Sequence, residues 1–175
     1  LKPDADYVFI PATITVPDAP PNIFRFGLAW GPGNNTFWVK AVGSLYLIEF
    51  DLDTGLGAIK ATYPTEGDRS VPASVTGIKY DAATGLLAGL RNGSPPSPVS
   101  VPVYDVRDLA AGPLWVDTEL FTTYNPDIEF QGNVDFGAGY LVALGVNNGL
   151  KAFLIDPTYV PPAESFKILS VTSAA

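Results

Sequence analysis

Short apolar runs separated by glycine, proline and asparagine dominate the pattern along the chain. Runs such as LYLIEF at 45–50 and LLAGL at 86–90 are punctuated by glycine, and the runs as a group are rich in Val, Ile, Tyr and Phe. Short runs of this composition predict β-strands rather than helices. Both faces of the run at 45–50 are apolar, whereas a single-layer sheet would alternate apolar and polar residues. The pattern therefore predicts strands that neighbouring sheets cover on both faces.

The strands recur as three units with the same layout. The first strand of each unit ends in an aromatic residue, Trp30, Tyr80 or Phe136, and a short turn leads into the second strand. The third strand closes on an apolar–Asp pair, and equivalent positions are 50 and then 56 residues apart. Four short antiparallel strands in about 50 residues is the blade period of a β-propeller. The units begin with FGLAWGPGNNTFWVK (26–40), TGIKYDAATGLLAGL (76–90) and GNVDFGAGYLVAL (132–144), and their fourth strands are expected at 58–63, 114–123 and 165–172.

We therefore expect an all-β, β-propeller-like array of about three and a half four-stranded antiparallel blades. A twelve-stranded β-sandwich or jelly roll is the alternative. Three blades do not close a ring, because propellers have about 4–8 blades. A protein partner, a second copy or remaining blades of a longer polypeptide would then complete it. The predicted divisions are a tail of a preceding blade or edge strands at 1–23, blades at 24–64, 75–124 and 132–172, a Pro-rich loop at 91–102, and a tail at 173–175 that could start a further module.

The C-terminal stretch ESFKILSVTSAA (164–175) resembles the entry into an immunoglobulin- or fibronectin-like module of secreted bacterial proteins. Taken with the repeat, the chain resembles the β-propeller repeat domain of an uncharacterised secreted or surface bacterial protein family. This resemblance covers the architecture and implies an extracellular, periplasmic or cell-surface location. It carries over no catalytic residue. The absence of methionine, including at position 1, is expected of a processed chain or of a piece of a longer polypeptide.

Charge and missing residue types narrow the partners. The net charge is −8 and the ten basic residues are scattered, which argues against nucleic acid and against anionic membranes. No apolar run reaches the roughly 20 residues of a membrane helix. The chain has no histidine and no cysteine, which excludes Ser-His-Asp and Cys-His catalysis and metal ligation by either residue. A protein partner or a carbohydrate remains.

One end of the array is expected to carry the longer and more polar loops, because successive antiparallel strands alternate their ends. Loops on a rigid scaffold often carry binding, so we expect a shallow polar groove there for a sugar, a peptide or a cation. Ordinary solvated loop residues are the alternative. The candidate ligand-binding residues are Glu66, Asp68, Arg69, Arg91, Asn92, Asp127, Glu129, Gln131, Asn147 and Asn148.

The stretch DLDTG at 51–55 matches the start of a calcium loop. No glutamate follows at the distance that such a loop needs, and the other two units lack the pattern. The stretch is therefore predicted to be a turn in which Asp51 and Asp53 accept backbone hydrogen bonds and Gly55 has a positive φ. No cofactor and no metal ligand are predicted, and calcium is kept as an option without a full motif.

The expected function is a non-catalytic structural or partner-binding β-propeller module of an exported or surface protein. No catalytic residue is assigned. The alternative is a carbohydrate-acting enzyme, or a calcium-dependent binding propeller, that uses carboxylates at the loop-rich end. Glycoside hydrolysis needs two carboxyl groups about 5–10 Å apart. Two sequence pairs offer such a spacing, Asp127 with Glu129 and Asp117 with Glu119.

Overall fold

The protein is all-β. A computed structural model of the protein describes residues 12–23, 26–65, 70–91, 100–117, 132–145 and 149–155, and every structural statement below concerns these residues. One short 3₁₀ helix, Val106–Ala111, interrupts the strands. The strands are β1 (Gly27–Trp30), β2 (Thr36–Lys40), β3 (Ser44–Asp51), β4 (Leu56–Pro64), β5 (Val75–Asp81), β6 (Leu86–Arg91), β7 (Pro102–Asp105), β8 (Trp115–Val116), β9 (Gly132–Gly137), β10 (Tyr140–Gly145) and β11 (Gly149–Leu154).

The strands form three separate antiparallel sheets, each built from consecutive strands. Sheet 1 has the order β1-β2-β3-β4, sheet 2 has the order β5-β6-β7-β8, and sheet 3 contains β9, β10 and β11 with β10 in the middle. Each sheet comes from one of the three sequence units. The all-β prediction is confirmed. No sheet closes on itself within the described residues.

Sheets 1 and 2 enclose one apolar core between their facing surfaces. Trp38 and Leu45 of sheet 1 pack there with Ile78, Leu87 and Tyr104 of sheet 2, and all five residues are buried. The ring of Trp38 lies in the centre of this layer. Apolar burial of this kind stabilises the packing by roughly 25 cal/mol per Å². The alternation of inward and outward residues along each strand therefore places one face of each sheet against its neighbour.

A second core lies between sheets 2 and 3. Ala88 and Leu90 of β6 pack against Val134, Leu141 and Ala143 of sheet 3. These β6 residues alternate with Leu87, which points to the other core. Sheet 2 is thus covered on both faces, as the apolar pattern predicts for a strand between two sheets.

Successive sheets approach each other closely along their first strands, where β1 contacts β5 and β5 contacts β9. The amide of Gly77 donates to the Phe26 carbonyl oxygen at 3.1 Å. A β-carbon on Gly77 would lie 3.1 Å from Asn133 Oδ1 and 3.2 Å from the Gly132 carbonyl oxygen, and its φ is +57°. A β-carbon on Gly27 would lie 3.1 Å from the amide nitrogen of Ile78. Glycine is required there because other residues would separate the strands.

The segment that precedes β1 crosses the other face of sheet 1. Thr15 forms a parallel bridge with Leu56, and its amide donates to the Gly55 carbonyl oxygen at 2.8 Å. Val16 and Ile23 pack in a third apolar cluster that includes Val39, Tyr46 and Ile48 of sheet 1. The predicted edge strands are therefore represented by a single bridged residue in 12–23, and residues 1–11 lie outside the described part.

Two other predicted segments are only partly described. The expected fourth strand at 114–123 is represented by Trp115–Val116, and 118–123 and 165–172 lie outside the described residues. Both ends of the Pro-rich segment pair, because Arg91 and Ser100 form an antiparallel bridge. Within the described residues, no helix is long and apolar enough to cross a membrane.

Candidate functional site

One of the ten candidate ligand-binding residues, Arg91, lies in the described part of the chain. It ends β6 between Val75 and Ser100, and its amide donates to the Ser100 carbonyl oxygen at 2.7 Å. Its side chain is half-buried. The grouping of the loop residues stays a prediction. Glu66, Asp68, Arg69, Asp127, Glu129, Gln131 and Asn147, together with Asn92 and Asn148, lie outside the described residues.

Asp117, one member of a predicted carboxylate pair, takes part in an ion pair between sheets. Its carboxylate accepts a hydrogen bond from Lys151 Nζ at 2.8 Å, and its side chain is only 3% exposed. Because Asp117 follows β8 and Lys151 lies in β11, this contact ties sheet 2 to sheet 3. The observed contact of Asp117 is thus an ion pair between sheets. Glu119, its predicted partner, lies outside the described residues, so the carboxylate pair stays a prediction.

A buried lysine occupies the end of β2 on the side of the predicted loop site. Lys40 is 0% exposed, and its ammonium group donates to the carbonyl oxygen of Ala41. Burial lowers the pKa of Lys40 to about 8, because a charged amine is poorly solvated in an apolar surrounding. Ser70, in the connection between sheets 1 and 2, has a buried hydroxyl without a hydrogen-bond partner. The sequence analysis did not identify either residue.

The turn at 51–55 is built as the sequence predicts, with one correction. Asp51 Oδ1 accepts hydrogen bonds from the amides of Asp53 at 2.8 Å and Thr54 at 3.3 Å, and Gly55 has a φ of +67°. These amides lower the pKa of Asp51 because they stabilise its charged form. Within residues 51–55, all of which the structure describes, the carboxylate of Asp51 accepts backbone hydrogen bonds and that of Asp53 does not.

The turn after β7 uses its aspartate in the same way. Asp105 Oδ1 accepts from the Arg107 amide at 2.9 Å, and the Arg107 guanidinium lies 2.6 Å from Asp105 Oδ2. The guanidinium and amide hydrogen bonds lower the pKa of Asp105 to about 2. The two strand-ending aspartates are thus engaged by their own turns, which supports an architectural role for both.

An acidic groove of about 740 Å³ lies beside the turn at 51–55. Its polar lining includes Asp18, Asn34, Glu49, Asp51 and Asp53. Glu49 is paired with Lys60 at 2.8 Å across an exposed surface. Among the described residues, no group of three or more acidic side chains is arranged to hold a metal ion. The groove lies at the end of sheet 1 opposite the predicted loop site, and a carboxylate cluster alone identifies no ligand.

An apolar groove of about 440 Å³ adjoins the acidic one. Leu28, Trp30 and Phe37 line it together with Ile14 and Lys79, and Phe50 lines both grooves. Trp30 is 69% exposed and Leu28 is 60% exposed. The exposure of these large apolar side chains is unusual, because β1 is the strand that contacts sheet 2 on its other face.

The repeat shows what is different about this strand. The β1–β2 pair Trp30–Phe37 corresponds to the β5–β6 pair Tyr80–Leu87 and to the β9–β10 pair Phe136–Leu141. Two residues earlier stand Leu28, Ile78 and Val134. Ile78 and Val134 are 1% and 2% exposed because the preceding sheet covers them, whereas Leu28 has no preceding sheet within the described residues. We call the surface of Leu28 and Trp30 the sheet 1 end face.

Sheet 3 presents an apolar surface at the other end of the array. Leu144 pairs with Leu150 across β10 and β11, and Leu154 lies further along the same face. These three leucines are 42%, 47% and 52% exposed. By the same register, Leu144 corresponds to Leu90 of sheet 2, which is fully buried against sheet 3. We call the surface of Val142, Leu144, Leu150 and Leu154 the sheet 3 end face.

Comparison with known proteins assigns the chain to no family. No protein-family model matches the chain, and no curated protein is significantly similar to it. The observations that bear on function are therefore the contacts and exposures of the chain's own residues. The sequence analysis missed the two end faces, although an alignment of Leu28 with Ile78 and of Leu144 with Leu90 would have marked them as packing positions.

Proposed function

We propose that this protein is a non-catalytic structural and partner-binding module of the β-propeller type, and that it is part of an exported or surface protein. The function is to associate through the sheet 1 and sheet 3 end faces with further β-sheets. The proposed location rests on the resemblance of the C-terminal stretch to the entry into modules of secreted bacterial proteins.

The order of the strands supports the propeller over the sandwich. Each sheet is a meander of consecutive strands, and successive sheets meet along their first strands β1, β5 and β9. A β-sandwich or jelly roll joins its two sheets by Greek-key connections, so that strands distant in sequence become neighbours in one sheet. In the described residues, the sheets exchange no strands in this way.

One observation carries the proposed function. Positions that are buried wherever a neighbouring sheet exists are exposed at both ends of the array: Leu28 is 60% exposed where Ile78 is 1% exposed, and Leu144 is 42% exposed where Leu90 is fully buried. Burying a leucine side chain is worth about 2 kcal/mol. A sheet of similar shape that covers either end face would therefore lower the free energy of the complex.

The test compares two end-face variants with a control. Leu28→Asp and Leu144→Asp place a charge on one end face each, and Leu52→Asp changes a leucine that is 63% exposed in the β3–β4 turn. Dilute protein, in which any complex has dissociated, is titrated with a dye that fluoresces on apolar surfaces. We expect both end-face variants to bind less dye than the wild type and Leu52→Asp to bind the same amount. Unchanged dye binding in both end-face variants would contradict the proposed function.

A further inference from the structure

The two end faces are complementary to each other in the repeat. The sheet 1 end face is the surface that a preceding sheet covers in sheets 2 and 3. The sheet 3 end face is the surface that sheets 1 and 2 turn toward a following sheet, where Trp38 and Ala88 occupy the positions of Val142. A sheet 3 placed before a sheet 1 therefore continues, along β1, the contact that β1 makes with β5 and that β5 makes with β9.

The charged residues on β5 and β9 also favour packing of sheet 3 before sheet 1. Lys79 lines the groove at the sheet 1 end face. Asp135 lies on β9 and is exposed on the face of sheet 3 that carries Val142, its direct pairing partner. Since successive first strands are neighbours in the array, Asp135 of one copy would approach the groove that contains Lys79 of another. Opposite charges in these positions favour the head-to-tail register over face-to-face pairing of identical surfaces.

We propose that the partner is a second copy of this chain, bound head to tail, so that the sheet 3 end face of each copy covers the sheet 1 end face of the other. This inference rests on the proposed function. A heterologous contact of this kind closes into a ring when the rotation between copies permits it and otherwise grows into a filament. Two copies of three sheets make a ring of six, which lies within the range of about 4–8 blades that close.

The segment before β1 leaves room for the second copy. Ile14 and Val16 lie over Gly57 of β4, at the outer side of sheet 1. Leu28 and Trp30 lie on β1, at the opposite side of the same sheet. Val16 and Ile23 also pack on Val39, Tyr46 and Ile48 of β2 and β3. The incoming sheet would therefore contact the β1 side of the face, while the middle and outer strands are already covered by the chain's own residues.

The experiment measures the mass of the complex by native mass spectrometry and by sedimentation. We expect the wild type to have twice the monomer mass of 18.5 kDa. Leu28→Asp and Leu144→Asp should each be monomeric, because in a head-to-tail ring each variant breaks both contacts. An equimolar mixture of the two variants should form a dimer again, because the unaltered sheet 3 end face of one meets the unaltered sheet 1 end face of the other. This mixed dimer should bind more than roughly tenfold more weakly than the wild type, since it keeps one contact of two.

Three results would overturn the second-copy ring. If either variant alone remains dimeric, identical faces pair with each other. If the wild type forms open filaments, the contact does not close, and if it is monomeric at every concentration, a second copy is not the partner. A monomeric wild type that still binds dye at its end faces would leave the proposed function in place, so the two failures are distinguishable. Trp30→Ser and Leu150→Ser repeat the comparison with milder changes if a charged variant unfolds.

Discussion

Replacing Lys40 by methionine should stabilise the protein at neutral pH. Methionine has a similar length and no charge, and the equivalent positions in sheets 2 and 3 are Leu90 and Leu144. The ammonium group of Lys40 is fully buried and donates to one backbone carbonyl, that of Ala41. The folded protein therefore keeps a charge in an apolar layer at neutral pH, and the substitution removes it.

The magnitude follows from the pKa of Lys40. A pKa lowered from 10.5 to about 8 corresponds to about 3 kcal/mol, at about 1.4 kcal/mol for each pH unit. The lost hydrogen bond to Ala41 offsets about 1 kcal/mol of this gain. We therefore expect the free energy of unfolding of Lys40→Met at pH 7 to exceed that of the wild type by about 2 kcal/mol.

The pH dependence has a definite sign. Between pH 8 and 10.5 the unfolded wild type binds a proton at Lys40 that the folded protein has released. The free energy of unfolding of the wild type must therefore rise across this range, and this contribution is absent from Lys40→Met. The advantage of the variant should be fully present below about pH 8 and should be lost as the pH approaches 10.5. The other titratable groups are the same in both proteins, and their contribution largely cancels in the difference.

The assay is chemical denaturation of both proteins at steps from pH 7 to about pH 10.5. Lys60→Met is the matched control, because Lys60 is half-exposed in its pair with Glu49 and its replacement should change stability by less than about 1 kcal/mol. A stability difference between Lys40→Met and the wild type that does not change with pH would refute the reasoning. So would a variant that is less stable than the wild type at pH 7.

Two further substitutions test the contacts between sheets. Gly77→Ala should destabilise the fold by about 1 kcal/mol more than Gly85→Ala in thermal unfolding. Both glycines have a positive φ, and an alanine in that conformation costs roughly 1 kcal/mol at either position. The difference is expected because only Gly77 lies against sheet 3. Equal losses would show that the close approach contributes nothing. Asp117→Asn should lower the free energy of unfolding by about 2 kcal/mol, because it leaves Lys151 without its buried carboxylate. Glu49→Gln breaks an exposed ion pair and should cost less than about 1 kcal/mol, so similar losses from both changes would count against a structural role for the inter-sheet pair.

The positions of the strands could be predicted where the local pattern of apolar runs and turn residues determines them. The predicted first unit and sheet 1 agree closely, because its apolar runs are short and its turns contain the glycine and aspartate that such turns require. Asp51 and Gly55 behave as the sequence predicts for the same reason, since a turn depends on its own few residues. Of the strand expected at 114–123, Trp115–Val116 is observed, and 118–123 lie outside the described residues.

The end faces and Lys40 could not be predicted from local pattern. An apolar residue such as Leu28 marks the side of a strand that packs, but it does not say whether a neighbouring sheet is present. From the sequence, Lys40 looks like the polar end of a strand. Only its equivalence in the repeat to Leu90, which is fully buried, indicates that the side chain points into a core. The predicted ligand site depended on loop polarity, which does not determine how loops are arranged in space.

The glycines at the first strands set the shape of the whole array. At Gly27 and Gly77 the backbones of successive sheets nearly touch, while Trp38, Tyr63 and Tyr80 fill the space between sheets 1 and 2. Glycine at β1 and β5, with the rings of Trp38 on β2 and Tyr63 on β4, makes the layer between sheets 1 and 2 a wedge. The angle of that wedge sets how far one sheet is rotated from the sheet before it. A single methyl group at Gly77 would therefore push β5 away from β9 and change the rotation between sheets 2 and 3, while the strands within each sheet kept their pairing.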